Sequence, residues 1–208
     1  MSDLNEKQTR ILLVAEKLFA EKGFDGTSIR DISKEAKINI AMVSYYFGSK
    51  EKMLESLIIS RISDMRLQLE NIHKLELSPF EKIDRLIELY IERVNRNRCM
   101  YQIIHFEMSS KKRALKVAEF NDMKKRNLET LRAIIQDGQE SGDFRTDIRI
   151  ELIPTTIIGT YFQFQMSRTM FEEILDLKTD LQYENFVKNE LTQHIKQVIK
   201  ALLKNENQ

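Results

Sequence analysis

Residues 27–54 read TSIRDISKEAKINIAMVSYYFGSKEKML, and their spacing predicts a helix, a tight turn, a second helix, a short break and a third helix. Ile29, Ile32 and Ala36 form one apolar stripe, with Thr27 or Ser28 as the cap and Asp31 near the positive end of the dipole. A helix of about nine residues is too short to stand alone, so close packing partners are expected. Lys37, Ile38 and Asn39 make the turn, and Asn39 caps the next helix. In Ile40–Phe47, Val43 and Phe47 share one face. Ala41 and Tyr45 then point away from it, with Met42 and Ser44 on the flanks. Gly48 ends this helix and Ser49 caps the following one. From Ala36 to Ser49 there is no carboxylate, although 31% of the chain is charged. That surface suits an anionic partner.

The rest of the chain reads as helix throughout. Upstream, Ile11, Val14, Ala15 and Leu18 mark an amphipathic helix over 5–22, closed at Gly23. Downstream, Leu54, Leu57, Ile58, Ile62, Met65, Leu69 and Ile72 predict one unbroken helix from Lys50 to Ile72, a mechanical connection to everything that follows. Further helices are expected from Pro79 to about Asn97, from Tyr101 to about Phe120, over Asp122–Glu140, over Pro154–Leu175 and over Tyr183–Leu203. The last two are apolar on more than one face, so they are expected to pair with their own copies in a two-fold dimer.

Composition narrows the function classes. Six glycines and two prolines in 208 residues leave too few turn residues for a strand-rich fold, so the fold class is all-α. Thirty-three basic against 32 acidic side chains give no global electrostatic pointer. Residues 1–60 hold nine of each sign, so any affinity for nucleic acid must come from local geometry. One cysteine, Cys99, excludes an internal disulfide and fits a reducing compartment. Asp3, Glu6 and Lys7 precede any apolar run, and the longest uncharged run, 152–167, is short and polar; a cytoplasmic protein with neither secretory signal nor membrane span is expected. No catalytic triad, Cys/His pair or glycine-rich phosphate loop stands in a plausible context, so an enzyme is not expected. His105 and Glu107 lack ligand spacing, and no metal or cofactor is expected.

The stretch 27–54 with the helix before it resembles the TetR family of bacterial transcriptional regulators. Phe19, Gly23, Thr27, Ile29, Ile32, Ala36, Ile38, Val43, Tyr46, Phe47, Ser49, Lys50 and Glu51 carry the likeness, most specifically the block YYFGSKEKML. Two positions depart from the family pattern. Lys37 stands where glycine is usual, and Ser44 where an aromatic is common.

The resemblance implies a helix-turn-helix DNA-binding domain over 5–52 and a helical ligand-binding and dimerisation domain over 53–205. It makes Ile40 to Tyr46 the recognition helix, with Ile40, Ala41 and Met42 approaching bases and Asn39, Ser44, Tyr45 and Tyr46 offering polar groups. Thr27, Ser28 and Lys50 sit at helix N-termini, where backbone N–H groups favour phosphate. It also implies a pocket for a small apolar ligand inside the helices from about 79 to 170. Tyr90, Tyr101, Ile104, Phe106, Met108, Met123, Tyr161, Phe162, Phe164 and Met166 are the candidates to line it. The expected function is a transcriptional regulator, a repressor by family default. It binds a pseudo-palindromic operator as a homodimer, through helices near 154–175 and 183–203, and a ligand releases it. The rival is a helical adaptor that binds protein rather than DNA. Lys34, Lys37 and Lys52 read as solvated charges, and Phe47 as core.

Overall fold

The computed structural model describes residues 4–62, 65–110 and 118–205, without the side chains of residues 62, 66, 108–110 and 118–120. The described residues form twelve α-helices: α1 (Glu6–Lys22), α2 (Ile29–Ala36), α3 (Ile40–Phe47), α4 (Lys50–Ile62), α5 (Met65–His73), α6 (Pro79–Arg96), α7 (Arg98–Ser110), α8 (Ala118–Glu140), α9 (Ile153–Met166), α10 (Arg168–Ile174), α11 (Asp180–Phe186) and α12 (Thr192–Leu203). They fall into two compact units. One contains residues 1–64 and 97–123, the other 65–96 and 124–208.

In the first unit α2 and α3 are eight residues each, too short to persist without tertiary support. Support comes from one buried core. Ile11, Ala15 and Phe19 of α1 meet Ile32 of α2, Val43 and Phe47 of α3, and Leu54 and Leu57 of α4. Burying each large side chain contributes about 1.5–3 kcal/mol. α7 belongs to the same core through Met100, Ile103 and Ile104, and packs on α1 and α4. α4 and α7 thus share the apolar interior of α1–α3. The Arg61 guanidinium joins α4 to α1 by donating Nε–H and an Nη2–H to Glu16 Oε2 at 3.0 and 2.6 Å. Glu16 is largely buried, so the pair serves mainly to keep that carboxylate compensated.

Helix boundaries depart from expectation at Arg98, Ala118 and Ser167. The single helix predicted over 50–72 is described as α4 and α5, and its continuity turns on residues 63 and 64, outside the described set. The helix predicted from Tyr101 to Phe120 starts at Arg98 and is described to Ser110; the rest of it falls on 111–117, also outside that set, and α8 starts at Ala118 rather than Asp122. The helix predicted over 154–175 is broken at Ser167. On a straight helix Phe164 and Phe171 would stand about 10.5 Å apart along the axis. The break brings their ring centroids to 4.6 Å, where Tyr183 and Phe186 stack on the same Phe164 ring.

In the second unit α6 buries Ile83, Leu86, Ile87, Tyr90, Ile91 and Val94, the spacing of one helical face. α9 and α12 both pack on it. Between α11 and α12 lies a π-helical turn, Val187–Leu191. Its cause is visible in the core: Tyr183, Val187, Leu191, Ile195, Ile199 and Leu203 are buried at strict intervals of four. An α-helix drifts about 40° with each such step, and a wider turn takes up the drift. Buried Thr192 fits that turn by donating its hydroxyl to Val187 O at 2.8 Å. Val198 and Leu202 lie outside that series and are exposed, whereas Ile199 and Leu203 face inward.

Candidate nucleic-acid interface

α3 is seated by Val43 (0% exposed) and Phe47 (6% exposed) and held at both ends. At the start, Asn39 Oδ1 accepts from Ala41 N–H at 2.8 Å. At the end, Gly48 takes φ +73°, and its N–H donates to Ser44 O at 2.7 Å. That closing bond lies on the backbone alone, so the outward side chains of α3 stay available. Ala41, Ser44 and Tyr45 face solvent, Tyr45 at 84% exposure, and Ile40 is 42% exposed. Met42 and Tyr46 are half-buried on the shoulders and pack against the core. Tyr46 also stands edge-on to Tyr45 and Phe47, with ring centroids 5.7 and 6.5 Å apart. The outward face predicted from Ala41 and Tyr45 is the face observed.

The three residues expected at phosphate have partners within the protein. Thr27 is 1% exposed, and its hydroxyl is shared between the carbonyls of Leu18 and Gly23 at 3.0 and 2.8 Å, so it locks the turn after α1. Ser28 is the cap of α2, and its hydroxyl and N–H both donate to Asp31 Oδ2, at 2.6 and 3.0 Å. The hydroxyl bond first, and then the backbone bond, hold the Asp31 carboxyl below the usual carboxylate range. That carboxylate already occupies the anion position at the start of α2. Lys50 turns inward: its ammonium donates to Phe24 O and Thr27 O at 2.7 and 2.8 Å, and lies 4.3 Å from the centroid of the Phe24 ring. Sequence position marks the start of α4 correctly, but side-chain direction there is set by the turn packed against it. Arg30, at the second position of α2, is exposed and is a donor that the resemblance does not single out.

The turn between α2 and α3 carries the strain that Lys37 implies. Its φ and ψ are +54° and +43°, the left-handed region. A side chain there costs about 1–2 kcal/mol, and glycine loses part of that advantage through its freer unfolded chain. Lys37→Gly is expected to stabilise the protein by about 0.5–1 kcal/mol, measured as a higher urea midpoint with an unchanged slope. A lower midpoint would mean that the lysine side chain supplies a compensating contact.

The ten ligand candidates fall in both units. Tyr101, Ile104, Phe106 and Met123 belong to the first unit, where Ile104 is core and Phe106 is 62% exposed. Tyr90, Tyr161, Phe162, Phe164 and Met166 belong to the second, where Tyr161 and Phe164 are core and Met166 is 71% exposed. The side chain of Met108 lies outside the described set. Selection by residue type merges plain core with surface. Within the second unit, the Tyr161 hydroxyl donates to Asn95 Oδ1 at 2.6 Å, and Asn95 Nδ2 donates to Glu184 at 2.8 Å. This polar chain borders a cleft of about 870 Å³ whose walls include Glu88, Glu92, Asn95, Asn189 and Lys196. None of the ten candidates lines it. Among the described residues no cluster of His, Cys, Asp or Glu suits a metal ion, and no helix is long and apolar enough to cross a membrane.

Residues 11–57 match the family model described as bacterial regulatory proteins, tetR family. Residues 79–199 match the one described as tetracyclin repressor-like, C-terminal domain. The HTH-type transcriptional repressor KstR2 of Mycolicibacterium smegmatis is 27% identical over 150 residues, spanning 71% of this chain and 72% of that protein. The solved structure of the ketosteroid transcriptional regulator KstR2 of Mycobacterium tuberculosis is similar at a TM-score of 0.71 and 20% identity, covering 98% of both chains. The transcriptional regulator FadR from Bacillus subtilis, solved in complex with stearoyl-CoA, is similar at a TM-score of 0.69 and 20% identity, over 93% of this chain and 98% of that one.

Proposed function

The chain belongs to the TetR family of bacterial transcriptional regulators, and from that premise we propose that it binds a pseudo-palindromic operator as a homodimer and represses transcription until a small molecule releases it. It is a DNA-binding regulator and not an enzyme. The observation that carries the operator reading is the outward face of α3, uncharged and solvent-exposed, on a helix whose opposite face is locked into the core. A helix presented in this way fits the major groove, with its N-terminal residues at base edges. We propose Ile40, Ala41, Met42, Ser44, Tyr45 and Tyr46 as the contact set, with Asn39 at its start and Arg30 as an added donor to phosphate. In the second unit, exposed Met166, Met170, Ile174, Val198 and Leu202 support a dimer through the helices near 154–175 and 183–203.

The ligand reading draws on the FadR structure, which was solved with stearoyl-CoA. That ligand joins an anionic group to a long apolar body, and we propose a ligand of the same class for this chain. One set of gel shifts tests the whole reading. The probe is the duplex upstream of the protein's own coding region, at stated salt. Tyr45→Ala is expected to weaken retention about ten-fold with melting temperature and dimer unchanged, and added stearoyl-CoA is expected to release the wild-type complex. If no duplex is retained at any salt, the helical adaptor becomes the better reading.

A further inference from the structure

We infer that the half-site beneath α3 is read through the methyl groups of thymine, so that the protein selects A·T base pairs there rather than G·C. The inference rests on the operator reading above and concerns which bases it prefers.

The major groove is read by a small code. Arg and Lys pair with guanine, Asn and Gln with adenine through a donor and an acceptor together, Asp and Glu with cytosine, and apolar groups meet the thymine methyl. α3 contains no Arg, Lys, Gln, Asp or Glu. Asn39, at its cap, is the one residue able to make the two-centre contact with adenine, and its acceptor oxygen already holds Ala41 N–H at 2.8 Å. The hydroxyls of Ser44 and Tyr45 can each donate or accept, so neither discriminates strongly among base edges. What remains at the leading end of the helix is apolar: Ile40 at 42% exposure, Ala41 exposed beside it in sequence, and Met42 half-buried. In the free protein that apolar surface is hydrated at a cost in free energy. In the complex it is desolvated, and the thymine methyl is the apolar group the groove offers to it. The absence of carboxylates on α3 removes any repulsion from phosphate while adding no preference for guanine.

The test uses the full-length protein and duplexes selected from a randomised pool. Each selected duplex is remade with deoxyuridine replacing one thymidine at a time, which deletes a single methyl from the groove and leaves pairing intact. Loss of one buried methyl is expected to weaken binding about four-fold. At one or two positions in each half-site that loss should vanish in Ile40→Ala or Met42→Ala, because the contact is already gone. Ile40 is exposed, so its variant should retain the wild-type melting curve, and this separates a lost contact from a lost fold. The inference is overturned if every deoxyuridine is neutral while 7-deazaguanine in the half-site weakens binding. Failure to enrich any duplex would instead overturn the operator reading itself, so the two failures are distinguishable.

Discussion

Lys50→Ala is expected to lower stability by about 2 kcal/mol and to lose operator affinity as a consequence, whereas Tyr45→Ala loses affinity alone. The ammonium holds two carbonyls of the turn between α1 and α2, at 2.7 and 2.8 Å, and covers the Phe24 ring. Hydrogen bonds to a charged group are worth about 1.5–3 kcal/mol when buried. Lys50 is half-buried, so solvent screens part of that, and a cation over an aromatic face adds about 0.5–1 kcal/mol. The same turn is braced by the Thr27 hydroxyl, so α2 enters from a segment fixed by two side chains. Without the ammonium, the Thr27 carbonyl must find water and the start of α2 gains freedom. Chemical denaturation and duplex retention, measured on the same preparation, decide the matter. Normal denaturation with lost affinity would show Lys50 to be a phosphate donor and nothing more.

Legibility in the sequence follows the kind of interaction involved. Backbone-level signals are legible: Asn39 caps α3, Gly48 closes it, and Val43 with Phe47 turns inward. These depend on neighbours in the chain. Thr27, Ser28 and Lys50 depend on neighbours in space. Each stands at a helix start, where either a phosphate or the protein's own groups can satisfy it, and spacing does not distinguish the two. α7 shows the same limit. Met100, Ile103 and Ile104 form a good helical stripe, but a stripe does not name its partner, and here the partners are α1 and α4. The break at Ser167 carries neither glycine nor proline, and stacking of Phe164 on Phe171 replaces those signals. The π-helical turn does leave a trace, in six apolar residues at strict intervals of four from Tyr183 to Leu203.

Gly138→Ala is expected to destabilise the protein by about 1–2 kcal/mol, although alanine is the better helix former by about 1 kcal/mol. Gly138 lies in the last turns of α8, and a Cβ built there would overlap Cδ2, Cε2 and Cγ of the Phe144 ring. That ring has no room to retreat. It is 1% exposed and meets the Phe80 ring edge-on with centroids 4.9 Å apart. Its backbone is fixed as well, since Phe144 N–H donates to Gly138 O at 2.9 Å. The neighbouring residues hold the end of the chain: Arg145 N–H donates to Leu203 O at 2.9 Å and Asn205 N–H to Asp143 O at 3.2 Å. Expelling the ring would therefore loosen the end of α12 in addition to opening a cavity, and losing a buried phenyl costs about 3–5 kcal/mol. Overpacking is the lesser penalty, and it still exceeds the gain in helix propensity. For a chain of this size the change corresponds to a fall in melting temperature of roughly 3–8 °C. Phe144→Leu on its own should also destabilise, but adding it to Gly138→Ala should cost less than the sum, because the smaller side chain frees the space the methyl needs. An unchanged or raised melting temperature for Gly138→Ala would mean that the loop after α8 can shift the ring aside, and that the glycine answers to no packing demand.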